Sequence, residues 1–160
     1  MLISSLFQCH FDYACSAWYS GLTVKLKSKL QVTQNRAIRY MLNLPPRAHV
    51  GRAEFNKVGL LPVNLRVDQL KLSQMFNIIH GSAPSSLSTH ITMVHTQHHR
   101  NTRAIVNSCS VPKVNSVVQS SFFYTGISLL NDLPRSVRAA NTKSAFKRRV
   151  QNHLNTRVVI

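Results

Sequence analysis

The sequence predicts a mainly α fold, a helical bundle with room for one small β-hairpin in its C-terminal half. Three observations carry that expectation. Apolar residues recur at spacings of three and four over most of the chain, glycine and proline punctuate those stretches at their ends, and one late segment shortens toward period two. At 160 residues and 44% hydrophobic content, the chain has apolar material for about one domain with a real core.

The first periodic stretch, Leu2 to Trp18, sets Leu2, Leu6, Cys9, Tyr13 and Ala17 on one stripe, which assigns Cys9 to the core. No Ser, Thr, Asp or Asn precedes the pattern, so it reads as though the chain began partway through a larger protein. Ser20 and Gly21 break it, and Thr23 is a suitable N-cap for a second helix. That helix, about Val24 to Asn43, places Leu26, Leu30, Thr33, Ala37, Met41 and Leu44 on an apolar stripe. A second stripe holds Lys25, Lys29, Arg36 and Arg39, so the helix has one face for a core and one for an anion. Gln34 falls on the apolar side, where an amide must find hydrogen-bond partners, and reads as a structural bracket rather than a base reader. Pro45 and Pro46 end the helix because proline disfavours helical geometry in the residue before it.

A short helix from Arg52 to Val58 is closed by Gly59, and a longer one runs from Pro62 to about His80. The longer helix has Leu65, Leu72, Phe76 and Ile79 on one side and Gly81 as its stop. Residues 81–103 are rich in Ser, Thr and His and read as a polar loop. In the segment 104–160, "AIVNSCSVPKV" and "SVVQSSFFYTG" carry β-branched and aromatic residues near period two, the pattern of a small hairpin. "ISLLNDLP" resembles one helical turn stopped by Pro134. "NTKSAFKRRVQNHL" is an amphipathic helix with Asn141 or Thr142 as N-cap and Phe146, Val150 and Leu154 as its buried line.

Charge points to the partner. Twenty Lys and Arg stand against Asp12, Glu54, Asp68 and Asp132, a net +16 that attracts polyanions, RNA and DNA foremost. Seven basic residues lie between Lys25 and Arg52 and seven between Arg135 and Arg157, interleaved with apolar residues at helical spacing. They are therefore faces of folded elements rather than a charged tail. The candidate phosphate contacts are Lys25, Lys29, Arg36 and Arg39, then Arg100 and Arg103, then Lys147, Arg148 and Arg149. Trp18, Phe122, Phe123 and Tyr124 could stack on bases, but their apolar context favours the core.

Catalytic classes are thinned by what is missing. Two-metal polymerases and nucleases need clustered carboxylates, and the four acids are scattered. No GxxxxGK[ST] or GxGxxG loop cradles a nucleotide phosphate, so neither a catalytic site nor a cofactor is expected. His95, His98 and His99 with Cys109 match no strong zinc spacing, and solvated histidines are the better account. Cys9, Cys15 and Cys109 make no CxxC pair, which suits free thiols in a reducing interior, nucleus or cytoplasm. The N-terminus has no basic residue before its apolar part and no apolar run is long enough to span a bilayer, so no membrane partner is expected.

Taken in order, "YACSAW", "LQVTQNRAIR", "LLP" with the Arg66 beyond it, "HRNTR", "SFFYTG", "NDLP" and "SAFKRR" resemble the C-terminal part of jockey-like non-LTR retrotransposon reverse transcriptases. Each motif is weak singly, and their number, order and spacing carry the likeness from about Leu2 to Leu154. The resemblance implies a thumb-like helical bundle over 1–80 and a downstream segment that together grip RNA template and growing DNA. It also implies that the palm with its metal-binding aspartates belongs to other parts of such an enzyme. One departure is Leu130, where the family usually has Trp before the Asn of "NDLP". A protein-interaction module whose first helix exposes apolar surface toward a partner, and a remnant of an old insertion without function, are the alternatives.

Overall fold

The structure, a computed structural model, describes residues 2–94, 108–116 and 118–158. Among them are nine α-helices and no strand: α1 (Leu2–Asp12), α2 (Cys15–Trp18), α3 (Val24–Met41), α4 (Arg52–Val58), α5 (Val63–Ile79), α6 (Ser85–Ser88), α7 (Phe122–Asp132), α8 (Arg135–Arg138) and α9 (Lys143–Thr156). The mainly α expectation holds. The chain divides into two compact units, the first made of residues 1–67 with 153–160 and the second of residues 68–152.

In the first unit the opening helix does not run through to Trp18. It breaks at Tyr13 and Ala14, where Ala14 takes a left-handed φ of 46°, and the Trp18 indole N–H donates to the Tyr13 carbonyl at 2.8 Å. That bond supplies a partner to a carbonyl left open at the break. The stripe assigned to the core is the outer face: Leu6 is 62% and Tyr13 81% exposed, and Cys9 and Ala17 are exposed with them. Phe7 and Phe11, one turn apart with ring centroids at 4.8 Å, are half-buried instead. Asp12 is drawn the same way by Arg66, whose guanidinium meets its carboxylate at 2.6 Å and 3.0 Å, while Gln8 donates at 2.9 Å.

Helix α3 starts as expected, with the Thr23 hydroxyl accepting from the Leu26 amide at 3.4 Å. Its buried line, however, runs through Gln34 and Ile38, while Thr33 and Leu26 are exposed. The centre of burial is turned by about 80° from the apolar stripe. The reason is chemical. Ile38 packs with Val50 and Phe55, and partly buried Met41, Leu42, Val58 and Leu60 close around them. Gln34, fully buried, donates from Nε2 to the Leu61 carbonyl at 2.8 Å and accepts from Gln31 at 3.0 Å. Gln31 in turn accepts from the Val63 amide at 3.0 Å, satisfying one of the open donors at the start of α5. Two glutamines thus fasten α3 to the chain at Leu61–Val63, and the bracket read for Gln34 is what it makes.

Helix α4 sits between Gly51, whose amide donates to Glu54 at 2.8 Å, and Gly59, whose φ of 71° provides the left-handed close that glycine tolerates.

The second unit is built on aromatic contact. Phe76 stacks on Phe146 at 4.6 Å between centroids, and the His80 ring stacks on Phe76 at 3.8 Å. The expected second arm of the hairpin is helical, while residues 104–107 and 117 of the expected pairing lie outside the described residues. Residues 118–120 make a 3-10 turn, and Ser121 then caps α7 by accepting from the Tyr124 amide at 3.4 Å. Gly126, Ile127 and Leu130 are its buried side, so three- and four-residue spacing decides the element rather than the local β-branched content. "ISLLNDLP" is accordingly the second half of a longer helix. Among the described residues, the trace of pairing is an isolated antiparallel bridge between Met93 and Cys109. Asn131 completes it, accepting from the Cys109 amide at 3.0 Å and donating to its carbonyl at 2.8 Å. Helix α9 opens with the Thr142 hydroxyl accepting from the Ala145 amide at 3.2 Å, which settles its cap, and buries Phe146 and Val150.

Candidate nucleic-acid interface

Lys25, Lys29 and Arg36 are all exposed on α3. At about 100° per residue they lie within about 20° of one line, and Tyr40 falls within about 40° of it. Tyr40 is 77% exposed, a phenol at the end of a row of cations. This line is directly opposite Gln34 and Ile38, so the buried bracket fixes which way the cations point. The 18 residues of α3 include no acid, and like charges one turn apart cost the helix a few tenths of a kcal/mol, about 0.2–0.5. A polyanion that neutralises the row removes that cost and releases its own counterions.

Arg39 stands apart from its three neighbours. It is half-buried, and its Nε donates to the Ala48 carbonyl at 2.7 Å, so it braces the turn after α3. On α9, Lys147, Arg148 and Arg149 are exposed, and Arg149 donates from Nη1 to the Ser136 carbonyl at 2.5 Å. That bond ties α9 to α8 while Lys147 and Arg148 face solvent. Arg100 and Arg103, with His95, His98 and His99, lie outside the described residues.

The acids do other work. Partial burial alone would raise the Asp12 pKa, but the Arg66 and Gln8 hydrogen bonds and the Arg66 charge hold it below the ordinary carboxylate value. The hydrogen bond from the Gly51 amide lowers that of Glu54. Both are engaged in holding local structure.

The three cysteines are free thiols. Cys15 and Cys109 are buried, and burial pushes the Cys109 thiol up despite the Arg138 charge beside it. Cys9 is exposed, against the core assignment, with its Sγ 3.1 Å from the Leu6 carbonyl. No three His, Cys, Asp or Glu side chains among the described residues converge to hold a metal ion. Nor is any helix among them long and apolar enough to cross a membrane.

Of the aromatic residues considered for stacking, Trp18, Phe122, Phe123 and Tyr124 are half-buried, in keeping with a packing role. Tyr40 carries no signal of its own in the sequence, since its exposure depends on the α3 register that Gln34 imposes. No protein-family profile, curated protein or solved structure matches this chain. Several residues of the motifs quoted from the sequence supply framework contacts: Trp18, Gln34, Arg66, Asn131 and Phe146.

Proposed function

We propose that this chain binds nucleic acid as the thumb-side part of a non-LTR retrotransposon reverse transcriptase, holding RNA template and primer strand without contributing the catalytic palm. The observation that carries the reading is the exposed, acid-free row of Lys25, Lys29 and Arg36 with Tyr40 at its end, held outward by the buried bracket behind it. Phosphates meet the cations, and the phenol offers a face on which a base can stack for about 1–3 kcal/mol. Lys147 and Arg148 give the second unit a cationic face of its own.

Binding of a labelled RNA:DNA hybrid across a salt series tests this. Three phosphate contacts predict that log K falls with log salt at a slope of about −2 to −3. Replacing Lys25, Lys29 and Arg36 together by Gln should flatten the slope and weaken binding, and an unchanged slope in that variant would sink the reading.

A second reading, a protein-interaction module, draws on exposed apolar side chains of the N-terminal segment, Leu6 and Cys9 on α1, Tyr13 at the break and Ala17 on α2. It requires association through those side chains. A chain that sediments as a monomer and stays so when Leu6 and Tyr13 are both changed to Ser counts against it.

A further inference from the structure

The first unit contains a cavity of about 330 Å3 that the basic row does not use. Pro62 and Leu65 give it apolar walls, Tyr19 contributes a phenol, Asn35 and Asn64 bring side-chain amides, and Arg157 supplies a cation. Its size lies at the small end of ligand pockets, about 300–1,000 Å3, where one nucleotide fits and a peptide of several residues does not.

The two asparagine side chains keep hydrogen-bonding capacity. Asn35 has its carbonyl oxygen occupied by the Gln31 Nε2 at 2.9 Å, which leaves its two amide hydrogens to give. Gln31 itself is consumed by Gln34, Asn35 and the Val63 amide, so it holds Asn35 in place rather than binding anything. The Asn64 side chain makes no hydrogen bond among the described residues and can both donate and accept. Arg157 is exposed at the same opening and brings a guanidinium to it. The Lys27 ammonium stands 5.2 Å from the centroid of the Tyr19 ring and adds to the positive field.

Two amides beside apolar side chains suit the hydrogen-bonding edge and faces of an unpaired base, and a guanidinium at the same cavity suits its phosphate. Position links the cavity to the basic row. Asn35 precedes Arg36 on α3, about 100° round the helix from the cations, so the cavity and the row lie on adjacent sides of the same helix. We infer that this cavity takes one unpaired nucleotide of the bound strand, with the base on Asn35 and Asn64 and its phosphate on Arg157. The inference rests on the nucleic-acid reading above and adds a selectivity to it: a base already paired in a duplex has its edge occupied and cannot enter.

The test is fluorescence anisotropy on the full chain with a 12-nucleotide RNA and with the 12-base-pair RNA:DNA hybrid of the same sequence. The wild-type chain should favour the single strand by about tenfold, the scale of one good base contact. Asn64→Leu and Arg157→Gln, both at exposed positions, should each reduce that preference toward unity while leaving hybrid affinity unchanged. Lys25→Gln with Lys29→Gln should weaken both probes alike. Equal wild-type affinities, or a preference that survives both cavity variants with helical content intact by circular dichroism, overturn the cavity and leave nucleic-acid binding standing. Failure to bind either probe overturns the underlying reading, and the cavity with it.

Discussion

The two units share side-chain hydrogen bonding and differ in what it accompanies. In the first, Ile38, Val50 and Phe55 form one apolar cluster, and side-chain hydrogen bonds run beside it: Gln34 to Leu61, Gln31 to Val63, Arg66 to Asp12. In the second, Phe76 stacks on Phe146, and Gly126 comes so close to Met75 that a Cβ there would lie 2.9 Å from its Cγ and Sδ. The difference reflects what α3 has to present. A helix that gives one side to cations has a narrow face left to bury, and a narrow apolar face fixes rotation poorly because dispersion is not directional. Hydrogen bonds are directional, so two glutamines set the angle that a broad apolar stripe would otherwise set. The second unit has directional bonds as well, Lys71 to Thr125 and Asn131 to Cys109, but they stand beside an aromatic stack rather than in place of one.

The largest test of that contrast is Phe146→Ala. Removing a fully buried ring that stacks on Phe76 should cost about 3–5 kcal/mol, read as a lowered urea midpoint by circular dichroism. A loss below about 1 kcal/mol, the scale of a surface change, would mean that the aromatic stack does not organise the second unit.

Next comes Gln34→Leu, which keeps the volume and removes the bracket. The Leu61 carbonyl is then buried without its donor, and the expected cost is about 1–3 kcal/mol. The sharper form is a double-mutant cycle with Gln31→Leu. Because the two amides share one network, their losses should fall short of additive by about 0.5 kcal/mol or more. Additive losses would show that the glutamines act separately, and the first unit would no longer differ in kind from the second.

How much of this was legible in the sequence depended on which physical signal set each element. Helix limits written in caps and breakers were readable: Thr23, Gly59, Gly81 and Thr142 stand at ends that the sequence marks. So was the bracket at Gln34, because an amide in an apolar helix needs partners wherever it is. Rotation was not readable. Leu6, Cys9 and Tyr13 form a good stripe yet face outward, since Phe7, Phe11 and the distant Arg66 decide which side of α1 is covered. Arg66 is 54 residues from Asp12 in sequence, and no local pattern encodes that pairing. The second arm of the hairpin failed for a related reason. Phe122, Phe123 and Tyr124 have strand-like composition, but Ser121 caps a helix over them, and burial of Gly126, Ile127 and Leu130 settles the period. In the candidate interface, Lys25, Lys29 and Arg36 were legible as a row, while Arg39, tied to Ala48, and Tyr40, turned outward, needed the register.

The smallest expected effect concerns the charged member of the first unit's brackets. Arg66 and Gln8 hold the Asp12 pKa below its unfolded value, so the folded state binds the carboxylate's proton less readily than the unfolded chain does. The stabilisation is therefore fully present above about pH 4 and is lost as pH falls through the lower, folded value. Glu54 titrates in the same direction and range, so the raw acid limb cannot be assigned to either. A difference curve can: Asp12→Asn should be less stable than the wild type at pH 6, and the gap should close as the pH falls below about 4. His153, whose pKa burial and the Arg157 charge depress, weakens the fold in a higher window, as pH falls below about 6.5, and it cancels in that difference because both chains carry it. A gap that stays constant from pH 6 to pH 2 would assign the Asp12 contribution to packing against Arg66 rather than to charge, and would leave the first unit's bracketing to its amides alone.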